Sequence, residues 1–135
     1  MTAITLAFYD AKAYDRDYFG READGTGVVL QLHDFRLTEK TDGSAAGARA
    51  VCVFVNDRLD RACLTKLAGL DVKLVALRCE GFNNVDRSAA SELGITVVRV
   101  PAYSPHAVAE HAMALLLALN RRIHRWRNGS RITVA

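Results

Sequence analysis

The chain has 135 residues, half of them hydrophobic and 24% charged, with a formal net charge of +3. That apolar share excludes an intrinsically disordered chain and suits one globular domain with a real core. The cationic excess is too small to argue for nucleic acid, and no apolar run approaches the ~20 residues that span a membrane.

The N-terminus carries no basic segment followed by a long apolar stretch, so no signal peptide is expected. Cys52, Cys63 and Cys79 form an odd set without CxxC or metal-ligand spacing. That usage predicts a reduced, cytoplasmic protein with no metal site.

Ile4–Tyr9 reads as the first strand, and Asp10 is placed to cap a short helix over 13–19 that Gly20 closes. Val28–Leu32 reads as a second strand, followed by loop and a poor helix around Gly43–Ala48. Ala50–Val55 is a near-continuous apolar run of the kind found in strands buried on both faces. Asp60 caps the next helix and Gly69 ends it. Val72–Leu77 is a fourth strand. Asp86 caps a helix over Arg87–Leu93, stopped by Gly94, and Ile95–Val100 is the fifth strand.

Strand and helix signals therefore alternate along the chain. The pattern predicts a three-layer α/β domain around a parallel sheet of about five strands. Right-handed crossovers put the loops starting at Asp10, Asn56, Arg78 and Pro101 on one sheet edge, where open parallel sheets bind ligands.

After the fifth strand comes an elbow, Ala102–Ser104, and then a long helix capped by Ser104 with Pro105 in its first turn. Few polar residues interrupt Ala107–Leu119, so this helix must be covered on nearly every side. Little of the chain remains to cover it. Arg121, Arg122, Arg125, Arg127 and Arg131 crowd its far end, with His124 among them. They fit a solvated helix terminus or an interface with another protein surface.

The loop RCEGFNNVD, Arg78–Asp86, is the most informative polar stretch. Gly81 permits a small nest of backbone N–H groups that suits a carboxylate, and Arg78 can add a charge-assisted bond. Glu80 opposes that reading by repulsion. The alternative is that Gly81 serves only the turn and Arg78 the surface. Tyr103 either reaches a ligand at the same edge or anchors the helix start. His106 and Glu110 lie four residues apart and face each other on a helix, whereas His111 does not share that face. Gly25–Thr26–Gly27 precedes its strand, whereas a dinucleotide-binding fingerprint follows one, so it is discounted.

Three segments carry a family likeness: LRCEGFNNVD at Leu77–Asp86, AAxELGI at Ala89–Ile95 and VPAYSPHAVAEHA at Val100–Ala112. VFVND at Val53–Asp57 and ALNRRIHR at Ala118–Arg125 support it. Together they closely resemble the NAD-dependent D-isomer-specific 2-hydroxyacid dehydrogenases, and within them the D-lactate dehydrogenase type. The resemblance covers roughly residues 1–125 and fades over WRNGSRITVA.

The resemblance implies a flavodoxin-like substrate (catalytic) domain over 1–101 and an inter-domain helix over 102–125. A tail outside the family pattern occupies 126–135. It implies that helix 104–125 packs in a homodimer interface. It places Phe54, Arg78, Glu80, Gly81 and Tyr103 at a bound 2-oxo or 2-hydroxy acid, and Ala107 and Val108 towards the nicotinamide side. The family's catalytic Arg, Glu and His, its GxGxxG motif and its Rossmann cofactor domain lie beyond the long helix.

The expectation is therefore the N-terminal part of an enzyme that transfers hydride between NADH and a 2-oxo acid such as pyruvate. By itself this part is expected to carry no catalytic residues, to bind no NAD tightly and to be inactive. The competing expectation is a stand-alone anion-binding or dimerising fragment. A receiver-like regulatory domain would want an acidic cluster after the early strands, and Asp10 alone is too little.

Overall fold

A computed structural model describes residues 3–102 and 104–121. The chain divides into two compact units, Met1–Pro101 and Ala102–Ala135. The first unit contains strands β1 (Ile4–Phe8), β2 (Val28–Leu32), β3 (Ala50–Val53), β4 (Leu74–Leu77) and β5 (Thr96–Arg99). Its helices are α1 (Ala13–Ala23), α2 (Arg61–Gly69) and α3 (Arg87–Glu92), with a 3-10 turn at Asp42–Ala45.

All strand pairs are parallel, in the order β2-β1-β3-β4-β5. This is the flavodoxin-like order, and its direction reverses between β1 and β3. Right-handed crossovers put α1 on one face and the 3-10 turn, α2 and α3 on the other. The packing agrees: α1 lies against β2, while α2 touches the 3-10 turn and α3.

The two faces are unequal. Ala7, Tyr9, Val51, Val53, Val75 and Leu77 point into a large core with Leu59, Leu64, Leu67 and Val72. Phe8 and Cys52, at the alternate positions, form a small second cluster with Ala11, flanked by Leu6 and Leu32. The Phe19 ring of α1 meets Phe8 edge-on at 4.8 Å. Central β3 is buried at all four positions, as its unbroken apolar run requires.

The Asp60 carboxylate accepts the Cys63 N–H at 3.1 Å and starts α2, while Asp86 accepts the Ala89 N–H at 2.9 Å and starts α3. Helix α1 departs from expectation at both ends. Asp10 does not cap it; it takes a left-handed conformation (φ 51°) and pairs with Lys12 at 2.6 Å. Asp15, inside the helix, accepts the Lys12 N–H at 2.9 Å instead. Gly20 does not end the helix, which runs to Ala23 before Gly25 supplies the positive φ of the turn. An interior glycine costs only about 1 kcal/mol, so Gly20 slows but does not stop a helix.

In the second unit, α4 (Pro105–Asn120) begins where Ser104 Oγ accepts the Ala107 N–H at 3.3 Å. None of its residues is buried. Val108, Met113, Leu115, Leu116, Leu117 and Leu119 are each more than half exposed. The expected continuation to residue 125 and the tail 126–135 lie outside the described residues. Among the described residues no helix is long and apolar enough to cross a membrane, and no cluster of metal-binding side chains occurs.

Candidate functional site

The carboxyl ends of β1, β3 and β4 converge on one guanidinium. Arg78, directly after β4, reaches across the end of β3 to β1. Its Nη2 donates to the carbonyls of Tyr9 (2.7 Å) and Asp10 (3.1 Å). Its Nη1 donates to the Asp15 carboxylate at 3.2 and 3.3 Å. Its Cζ lies over two rings, 4.5 Å from the Phe8 centroid and 4.9 Å from that of Phe54. Its Nε is buried without a partner. Arg78 therefore fills the switch-point crevice where flavodoxin-like folds take their ligands.

Arg78 and Asp15 are 12% and 5% exposed, so this is a buried ion pair joined over a sequence separation of 63. Delocalised, weakly hydrated guanidinium suits such a place, because it stacks on aromatics while its fork bonds a carboxylate.

A second buried acid organises the neighbouring loops. The Asp57 carboxylate accepts the Leu37 N–H at 2.7 Å through one oxygen and the Phe54 N–H through the other. Burial pushes its carboxyl above the usual carboxylate range, and those two backbone donors pull it back. The Asn84 amide then donates to the carbonyls of Phe54 (2.9 Å) and Asp57 (3.0 Å). A single bridge, Leu59 to Val85, closes the same junction. With both oxygens so engaged, Asp57 is a structural tie.

The loop after β4 is braced on both sides and open in the middle. Arg99 Nη1 donates to the Glu80 carbonyl at 3.0 Å, and the Cys79 thiol donates to the Gly81 carbonyl at 3.2 Å. Val100 N–H donates to the Cys79 carbonyl at 3.3 Å. Glu80 and Gly81 themselves are exposed. Among the described residues, neither of their N–H groups donates a hydrogen bond. A Cβ built on Gly81 would meet nothing within 4 Å, so its backbone faces open space.

No thiol competes for a catalytic role here. Burial pushes the Cys52 and Cys63 thiols up to about 12 and raises Cys79 as well. A protonated, buried thiol is a poor nucleophile.

The structure thus brings Phe54 and Arg78 into stacking contact and puts Glu80 and Gly81 in the loop that follows. Arg78 has its Nη donors engaged inside the fold. Ala107 and Val108 stand exposed in the first turns of α4. Tyr103 lies outside the described residues. Sequence reasoning missed Asp15, Asp57 and Arg99. Each of the first two also accepts an N–H three residues back, from Lys12 and Phe54, but the partners that tie the loops together are 63 and 20 positions away.

The family model for the D-isomer specific 2-hydroxyacid dehydrogenase catalytic domain matches residues 6–129. The D-lactate dehydrogenase of Escherichia coli (strain K12) is 55% identical over 122 residues, which is 90% of this chain and 37% of that protein. The apo-structure of D-lactate dehydrogenase from Escherichia coli superposes with a TM-score of 0.81 at 54% identity, over 91% of this chain and 39% of that one. A D-isomer specific 2-hydroxyacid dehydrogenase from Lactobacillus delbrueckii ssp. bulgaricus, solved in its NAD-complexed form, gives a TM-score of 0.70 at 27% identity. It covers 91% of this chain and 38% of that one. The chain spans just over a third of the length of the relatives it matches. It belongs to the D-isomer specific 2-hydroxyacid dehydrogenase family, whose catalytic-domain model covers most of it.

Proposed function

We propose that this chain is the substrate half of a D-2-hydroxyacid dehydrogenase, of the D-lactate dehydrogenase type, that interconverts a 2-oxo acid such as pyruvate and its 2-hydroxy acid with NADH. The observation that carries the reading is the pair of unengaged N–H groups at Glu80 and Gly81, on a loop braced by Arg99 and Cys79. Adjacent backbone donors held at fixed spacing suit a carboxylate. Phe54 supplies an apolar wall, and the family resemblance adds the phenol of Tyr103, which lies outside the described residues. Arg78 is a positioning residue here: its bonds to β1 and Asp15 fix where the loop starts.

The described residues do not fit NAD. The switch-point crevice holds the Arg78 guanidinium, and the turn after β1 offers the Asp10 carboxylate where a pyrophosphate needs donors. In this reading the cofactor belongs to other polypeptide, towards which Ala107 and Val108 lie. The domain limits then follow the units: a substrate domain to residue 101 and an inter-domain helix after it. The exposed apolar α4 supports a second element, a homodimer through helix 104–125.

Oxamate, an unreactive stand-in for pyruvate, tests the site. Titrated into the labelled chain, it should shift the amide signals of Glu80 and Gly81 first. Gly81→Pro, which removes one N–H, should abolish the response. Unmoved signals at these two positions, with others responding, overturn the site. The same chain should show no pyruvate-dependent NADH oxidation, and turnover of ~1 per second or more would overturn the assignment of the chemistry elsewhere.

A further inference from the structure

Next to the braced loop lies a cavity of about 270 Å³ lined by Leu77, Phe82, Arg87, Val97 and Arg99. Two guanidiniums stand against one ring: Arg87 Cζ is 5.0 Å and Arg99 Cζ 5.4 Å from the Phe82 centroid. The two cations are therefore at most ~10 Å apart and share one wall of the cavity. No acidic residue lines the cavity. Among the described residues neither arginine forms an ion pair. The nearest acid in sequence, Asp86, has its carboxylate on the Ala89 N–H. Arg99 uses Nη1 on the carbonyls of Glu80, Val100 and Pro101, and among the described residues no hydrogen bond engages its other donors.

We propose that this cavity binds a short dicarboxylate, one carboxylate on each arginine. The walls decide the class. Leu77, Val97 and the Phe82 ring are apolar, so they suit a carbon chain between two charged ends better than a compact inorganic anion. Planar guanidinium pairs with carboxylate through two parallel bonds, and each end is recognised in that way. Neither Glu80 nor Gly81 lines this site, and it takes a different ligand. Through the bond from Arg99 to the Glu80 carbonyl, an occupied cavity also fixes one side of the loop that carries them.

Succinate and phenylglyoxal test this on the purified chain. Phenylglyoxal modifies accessible guanidiniums, and peptide mass spectrometry reads each site separately. Succinate should slow modification of Arg87 and Arg99 together and leave the exposed Arg16 unchanged. Sodium chloride at matched ionic strength should protect none of them. Arg87→Gln should weaken succinate binding about tenfold, the effect of losing one charge-assisted pair. Arg87 is exposed, so that variant keeps its fold. Equal protection by chloride, or unchanged succinate affinity in a double Arg87→Gln, Arg99→Gln variant, overturns the proposal. Oxamate separates the two sites. If saturating oxamate leaves the protection intact, the cavity is a distinct site. If oxamate abolishes it, succinate binds at Gly81 and this inference falls while the substrate reading stands.

Discussion

Leu64 in α2 and Leu116 in α4 are the same residue in the same kind of element, with opposite surroundings. Leu64 is fully buried between its helix and the sheet, whereas Leu116 is 58% exposed. The residues around them explain the difference. Helix α2 presents one apolar stripe, Cys63, Leu64 and Leu67, and keeps Arg61, Thr65 and Lys66 outward. Helix α4 has apolar residues on every side and no buried position. A one-sided helix completes the fold of its own unit, and an all-round apolar helix belongs between surfaces.

The largest expected effect separates the two leucines. Leu64→Ala should cost about 2–5 kcal/mol of unfolding free energy, the range for emptying a packed core site. Leu116→Glu should leave the urea unfolding of the first unit within about 0.5 kcal/mol, as for exposed positions elsewhere. It should also weaken self-association, read by sedimentation velocity. A Leu116→Glu chain that associates as strongly as the parent would remove the dimer helix from the proposal. A mild Leu64→Ala would mean that the core relaxes into the space.

Cap residues sharpen the same contrast at a smaller scale. Asp60 and Ser104 each accept the N–H three residues on. Asp60→Ala should cost about 1 kcal/mol in unfolding of the first unit, because α2 is integral to its core. Ser104→Ala removes a similar bond from α4 and should lower helical content by circular dichroism without moving that transition. Equal losses in both variants would mean that the two units unfold as one.

What the residues disclose locally, they disclose well. The caps Asp60, Asp86 and Ser104 follow from short-range chemistry, and the structure has each of them; α2 also ends at Gly69, although the left-handed residue of the turn is Asp71. Strands β2 and β3 start where their apolar runs start. The β4 and β5 runs begin earlier in sequence than in the sheet, because Val72 and Ile95 are buried before strand pairing starts. The parallel α/β class was legible because the alternation repeats. The pairing of loops was not. Asp15 and Asp57 look like ordinary helix and loop acids, and only the folded sheet brings them to Arg78 and to Leu37. The same gap affects Arg78, whose position at the right edge suggested a ligand contact, whereas its Nη donors face inward to β1.

The smallest effect concerns a histidine at the edge of the sheet. His33 stacks on Tyr9 at 4.8 Å and leans on Phe35 at 4.9 Å. Its Nε2 is buried without a partner, and burial holds its pKa below the ordinary 6.5. The unfolded chain therefore takes up a proton near pH 6.5 that the folded chain still refuses. Stability should fall as pH drops from 6.5, until the folded imidazole also protonates. Asp57, raised above its ordinary 3.8, works in the opposite direction, since acid neutralises it first in the folded state. Asp10 and Glu92 are lowered, so their losses come only at stronger acidity. His33→Phe keeps an aromatic ring in the stack and removes the proton. Urea melts of parent and variant at neutral and mildly acid pH cancel Asp57 between them. The parent should lose more stability than the variant on acidification. Parallel pH profiles would mean that water reaches the His33 nitrogen in the folded protein, and that this corner of the sheet edge is open where the rest of the first unit is closed.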